Sequence, residues 1–149
     1  MSTSLYETDF YAWTQHQAKL LKEKQLAQVD LENIAEELES MGKSEKRELE
    51  SRLVVLIMHL LKWQFQPKRR NRSWRSTINT QRDELERLIR LSPSLKHIIF
   101  ESITNAYSSA RYRFEDETSI KKEILPDTCQ YTFEQIMDKD FWPLEEIGL

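Results

Sequence analysis

Apolar residues return every three or four positions along most of this chain, with short polar breaks between them. That is the period of helices and not of strands. Phe10, Trp13, Leu20 and Leu21 share one helical face, interrupted by Gln17. Thr8 stands as N-cap with Asp9 placed for the helix dipole, which predicts a helix over 9–25. Asp30 caps the next segment, where Leu31, Ile34, Ala35, Leu38 and Met41 recur at helical steps. From Leu49 to Phe65 apolar residues lie nearly all round the helix, and such a helix packs on most sides. This stretch is read as the central helix. Met41-Gly42-Lys43-Ser44 is the break before Pro67, so 30–66 is either one kinked helix or two, ended by the proline. Ser73 caps a helix over 73–91 carrying Trp74, Ile78, Gln81, Leu85 and Leu88. Ser92-Pro93-Ser94 starts the next, over 94–116, with Leu95, Ile98, Ile99, Ile103, Ala106, Tyr107, Ala110 and Phe114. Beyond Thr118 the pattern weakens to a short helix capped by Thr132. The apolar tail Phe141-Trp142-Pro143-Leu144 either folds back or seals a homodimer.

The fold class that follows is all-α, an antiparallel bundle of four to five helices around a long apolar central helix. It is expected as one domain over 1–149, with 119–149 the less regular part. Composition changes this picture by exclusion. Two glycines in 149 residues leave no material for the turns of a sandwich or barrel, or for phosphate-cradling loops. One cysteine, Cys129, excludes an internal disulfide and fits a reducing compartment. The opening MSTSLYETDF has neither a basic region nor an apolar one, and the longest apolar run, Leu53–Met58, is far short of a membrane span. A cytoplasmic protein without membrane contact is expected. No metal site is expected either. Trp13, Leu56 and Ser94 stand where a carboxylate would precede His16, His59 and His97 in a helical Glu-x-x-His ligand pair. No cofactor motif appears.

Net charge is −3, but the charge is unevenly spread. Lys62, Lys68, Arg69, Arg70, Arg72, Arg75 and Arg82 follow one another with no acid between, interleaved with Trp63, Phe65 and Trp74. Acids dominate Asp30–Glu50 and the stretch from Glu115 onward. Guanidinium groups beside aromatic rings suit phosphate or carboxylate binding and the stacking of unpaired bases. The expected partner is therefore an acidic protein or a nucleic acid. The isoelectric point of about 5.7 counts against a dedicated nucleic-acid binder. The competing reading makes Trp63 and Trp74 core anchors, with the arginines covering a turn.

The segments DFYAWTQHQAKLL, DLENIAEELESMGKSEKRELESRL, HLLKWQFQPKRRNRSWRSTINTQR and SPSLK, in that order and spacing, closely resemble the bacterial family filed as domain of unknown function 29. That family is prominent in cyanobacteria. The resemblance implies an all-helical fold and brings no activity, ligand or catalytic residue with it.

A second constellation lies on the central helix. Glu48, Arg52, His59 and Trp63 fall on one polar stripe, and an arginine followed by a histidine at such spacing resembles the Arg-x4–6-His motif of HEPN-type helical ribonucleases. That resemblance implies His59 as acid or base and Arg52 on the phosphate, without metal. Arg90 and His97 match the same spacing across a helix break, so the motif arises readily in this composition. The alternative is a Glu48–Arg52 ion pair one turn apart and a buried, hydrogen-bonded His59. An interaction module built on the basic surface is the first reading, more in keeping with a binding protein than an enzyme. The metal-independent ribonuclease is the second.

Overall fold

Asp9 starts the first long helix. Its carboxylate accepts from the amide of Ala12 at 3.1 Å, and α2 runs over Phe10–Lys22 behind a single helical turn, α1, over Leu5–Thr8. The expected cap at Thr8 is thus one residue early, because Thr8 is itself inside α1. Residues 5–144 are described by this computed structural model, and the end of the tail, 145–149, lies outside them. The chain divides into two compact units, with the boundary between Ser44 and Glu45. Among the described residues all regular structure is helical.

The first unit holds α1, α2, a 3-10 turn at Leu26–Gln28 and the beginning of α3, which spans Leu31–Phe65. Tyr6, Phe10 and Trp13 form a ring cluster with centroids 4.8–5.8 Å apart. Asp30 ties the unit together. It accepts from the Asn33 amide as the cap of α3, from Trp13 Nε1 at 3.2 Å and from Asn33 Nδ2 at 2.7 Å, while its own N–H donates to Gln17 Oε1 at 2.8 Å. Gln17, which reads as a flaw in an apolar face, is buried for this reason. The Tyr6 hydroxyl donates to Glu37 Oε1, which with burial pushes its pKa up to about 12. Asp30, Asn33 and Glu37 mark the face of α3 that these bonds use. Leu31, Leu38 and Met41 lie round from it and are well over half exposed. The hydrophobic pattern found the helix and misjudged its covered side.

α3 passes through Gly42 without a break, resolving the choice between one helix and two. A glycine costs a helix interior about 1 kcal/mol relative to alanine, and the strong helix formers Glu39, Lys43, Glu45, Lys46 and Arg47 absorb it.

The second unit is built on the later part of α3. Leu49, Leu53, Leu56, Ile57 and Leu60 are fully buried. They share one core with Ile78 and Leu85 of α4 (Arg72–Leu91), Ala106, Ala110 and Phe114 of α5 (Ile99–Thr118), and Ile136 of α6 (Phe133–Met137). Asn71, not Ser73, caps α4, because its extended backbone brings the side-chain oxygen 2.8 Å from the Trp74 amide. Pro93 opens a 3-10 turn over Pro93–Ile98 before α5 begins at Ile99, five residues later than expected from the sequence. Thr132 caps α6 in a reciprocal pair with Gln135, as the pattern indicated.

Candidate functional site

The basic segment is split by the fold into three classes. Lys62 and Arg82 are buried and leave the surface, which corrects the expectation that both face a partner. Lys62 Nζ meets Glu117 of α5 at 2.8 Å and lies over the Trp74 ring. Arg82 donates from Nε to the Ile136 carbonyl at 2.8 Å, and from Nη2 to the carbonyls of Phe141 at 2.8 Å and Gln135 at 3.3 Å. Burial holds its pKa below the usual arginine value. Their placement follows from helix period: Arg82 is one turn from Ile78 and from Leu85, so it must point into the core.

Lys68 and Arg69 sit on a 3-10 turn, Pro67–Arg69, and face solvent. Arg70, Arg72 and Arg75 gather round Trp63. The Arg70 guanidinium lies 5.1 Å from the Trp63 ring centroid and that of Arg75 5.2 Å, with Arg75 also 4.8 Å from Trp142. Arg70 Nε donates to the Trp63 carbonyl at 2.7 Å, which fixes its stem. Trp63, Arg70, Asn71, Arg72 and Arg75 line an open cleft of about 390 Å³. Among the described residues no carboxylate lies within 4.0 Å of Lys68, Arg69, Arg70, Arg72 or Arg75. The N-terminus of α4 opens beside this cleft, and its partial positive charge adds to that of the arginines. Trp142, 4.7 Å from Trp63 between ring centroids, is the participant sequence reasoning missed. Its signal was the apolar tail, which does fold back.

Arg52 and His59 have separate partners. Arg52 Nε meets Glu48 at 3.0 Å, and its other nitrogens reach Glu84 at 3.6 Å and Gln81 at 3.3 Å, both on α4. His59 lies 2.8 Å from the Val55 carbonyl through Nδ1, which must carry the proton to donate there. Burial lowers the His59 pKa from the ordinary 6.5, the Val55 bond opposing it. The folded chain therefore takes up this proton less readily than the unfolded one. Its neutral imidazole contributes fully above about pH 6.5, and stability falls as the pH drops below that. Urea titrations between pH 7.5 and pH 5 should show His59→Gln losing less stability than the native chain, the difference approaching at most about 1.4 kcal/mol per pH unit.

Cys129 is half-buried, with its thiol 3.6 Å from the Tyr131 carbonyl and its pKa raised by burial. Among the described residues no group of three or more His, Cys, Asp or Glu is placed to hold a metal ion, and no helix is long and apolar enough to cross a membrane.

A family model described as "Domain of unknown function DUF29" matches residues 5–142. No curated protein and no solved structure matches the chain.

Proposed function

The chain belongs to the family Domain of unknown function DUF29, and from that premise we propose that it is an interaction module whose arginine cleft seats an acidic segment of a protein partner. One observation carries the reading: Arg70 and Arg75 are stacked on Trp63 with no carboxylate beside them among the described residues. Stacked guanidinium groups lose little rotamer freedom on binding, and their planar forks match carboxylates bidentately. The same stacking covers the faces of Trp63, which favours carboxylates over unpaired bases that need an open ring. The cleft is also short, built from the end of α3, one turn and one helix start, and suits a few anionic side chains better than a long phosphate backbone. The ribonuclease reading needs Arg52 and His59 free in one cleft. Their existing bonds to Glu48, Glu84 and Val55 favour binding over turnover.

Fluorescence anisotropy with a labelled poly-glutamate peptide and a labelled single-stranded RNA of equal charge tests this. Peptide binding that weakens with salt is expected, falling about tenfold in the Arg72→Ala/Arg75→Ala double variant if each exposed charge is worth about 0.7 kcal/mol. RNA bound more tightly than the peptide would transfer the cleft to nucleic acid. Binding of neither would overturn the proposal. The same RNA, incubated in EDTA and run on denaturing gels, should stay intact; cleavage lost in His59→Ala would restore the enzyme.

A further inference from the structure

We propose that the second unit carries a pocket for a small apolar carboxylic acid, with Arg111 as the receptor for its carboxylate. Between α5 and the segment 127–134 lies a cavity of about 710 Å³, within the range of about 300–1,000 Å³ usual for small-ligand sites. A smaller cavity of about 250 Å³ shares Tyr107, Gln130 and Tyr131 with it. Ile99, Ile103 and Phe133 give an apolar wall, and Phe100 stands at the mouth with 86% of its surface exposed. An exposed phenylalanine beside an apolar hollow is a surface that a ligand's hydrocarbon part would cover.

Arg111 is the cation of this lining, and its hydrogen bonding is incomplete. Nη2 donates to the Lys122 carbonyl at 2.9 Å. Its carboxylate neighbour, Asp127, is 3.9 Å away with a fully exposed side chain, so the pair is weak. Nε is buried and has no acceptor among the described residues. That unmet donor is destabilising, but its burial closes it to a ligand as well as to water. The arginine cannot lower that penalty by losing its proton. A carboxylate in the cavity would instead pair end-on with the terminal nitrogens, through Nη1 and the second hydrogen of Nη2. Tyr107 and Tyr131 offer no competing site, since their hydroxyls already donate to the Pro126 carbonyl and to Gln64. The carboxylates of the lining, Asp127 and Glu134, are exposed to solvent, while Arg111 is half-buried; that cation beside an apolar wall selects a monoanion with a hydrocarbon or aromatic body over a sugar, a nucleotide or a neutral lipid.

Octanoate and octanol, which share a chain and differ in charge, test the pocket on the full chain by two-dimensional NMR. Octanoate should shift the Arg111 Nε–H resonance and the methyls of Ile99 and Ile103, and bind at least tenfold more tightly than octanol. Arg111→Gln should remove that preference while leaving octanol binding in place. Ser108→Trp, on the exposed face of α5 at the cavity lining, should block both ligands. Should Arg111→Gln fail to fold, the octanoate-to-octanol ratio of the native chain and the Ser108→Trp block still decide. Equal binding of acid and alcohol, shifts confined to other residues, or no binding at millimolar octanoate would each overturn the proposal.

Discussion

Arg82→Leu is expected to remove about 3 kcal/mol of stability, although leucine is the more natural tenant of a fully buried helix position. Two effects oppose one another here. Burying a guanidinium without a carboxylate is costly, and replacing a buried charge by an apolar side chain is often neutral or better. Against that, the three carbonyls Arg82 serves belong to Gln135, Ile136 and Phe141, at and beyond the end of α6. Those of Gln135 and Ile136 belong to the last turn of α6, where carbonyls run short of amide partners, although Gln135 also accepts from the Asp138 amide at 3.3 Å; nothing in a leucine replaces the donor. Each hydrogen bond to a charged group is worth about 1.5–3 kcal/mol, so the sum exceeds the desolvation relieved. Arg82→Lys should recover only a part, because an ammonium cannot fork to three acceptors in a fixed plane. Urea denaturation gives the magnitude. Limited proteolysis between Asp138 and Leu144 should show the segment released first. A leucine variant as stable as the native chain would mean that desolvation offsets every bond the guanidinium makes.

That role was not legible in the sequence, and the reason is general. Arg82 and Arg75 look alike along the chain, seven positions apart on one predicted helix, yet one is a buried cap and the other part of an open cleft. What distinguishes them is α6, whose carbonyls arrive from 54 positions further on. Local pattern carries no information about such a meeting. Where packing follows from the segment itself, the reading succeeds: 49–65 is apolar nearly all round, with one narrow polar stripe, so it can only be central. Asp30 and Thr132 each stand alone before an apolar run, so the cap is unambiguous. Asn71 and Ser73 are both good caps two residues apart, and there periodicity cannot choose. Leu31, Leu38 and Met41 show the complementary failure. An apolar stripe says that a face can be covered, and coverage depends on what else the chain brings there.

Trp63 is where fold and cleft meet, and two substitutions there should separate them. Trp63→Ala is expected to cost about 3–5 kcal/mol, the range for deleting a buried aromatic side chain. The ring is 7% exposed, it packs against Trp142, and its loss opens a void that the rigid end of α3 cannot close. Such a variant reports on stability and little else. Trp63→Leu keeps an apolar side chain at the position and the backbone carbonyl that anchors Arg70 Nε at 2.7 Å. Its stability should fall by less than the alanine variant's while both Arg70 and Arg75 lose the ring they stack on. Cation–π contacts of this kind are worth about 0.5–1 kcal/mol at exposed sites, and here they also limit where the two guanidiniums can swing. In a folded leucine variant, affinity for the poly-glutamate peptide should therefore drop by about three- to tenfold with the net charge unchanged. Charge alone predicts no drop at all. A leucine variant that binds like the native chain would reduce the cleft to a collection of positive charges. A loss would mean that the tryptophan's task is to hold two arginines ready for an anion.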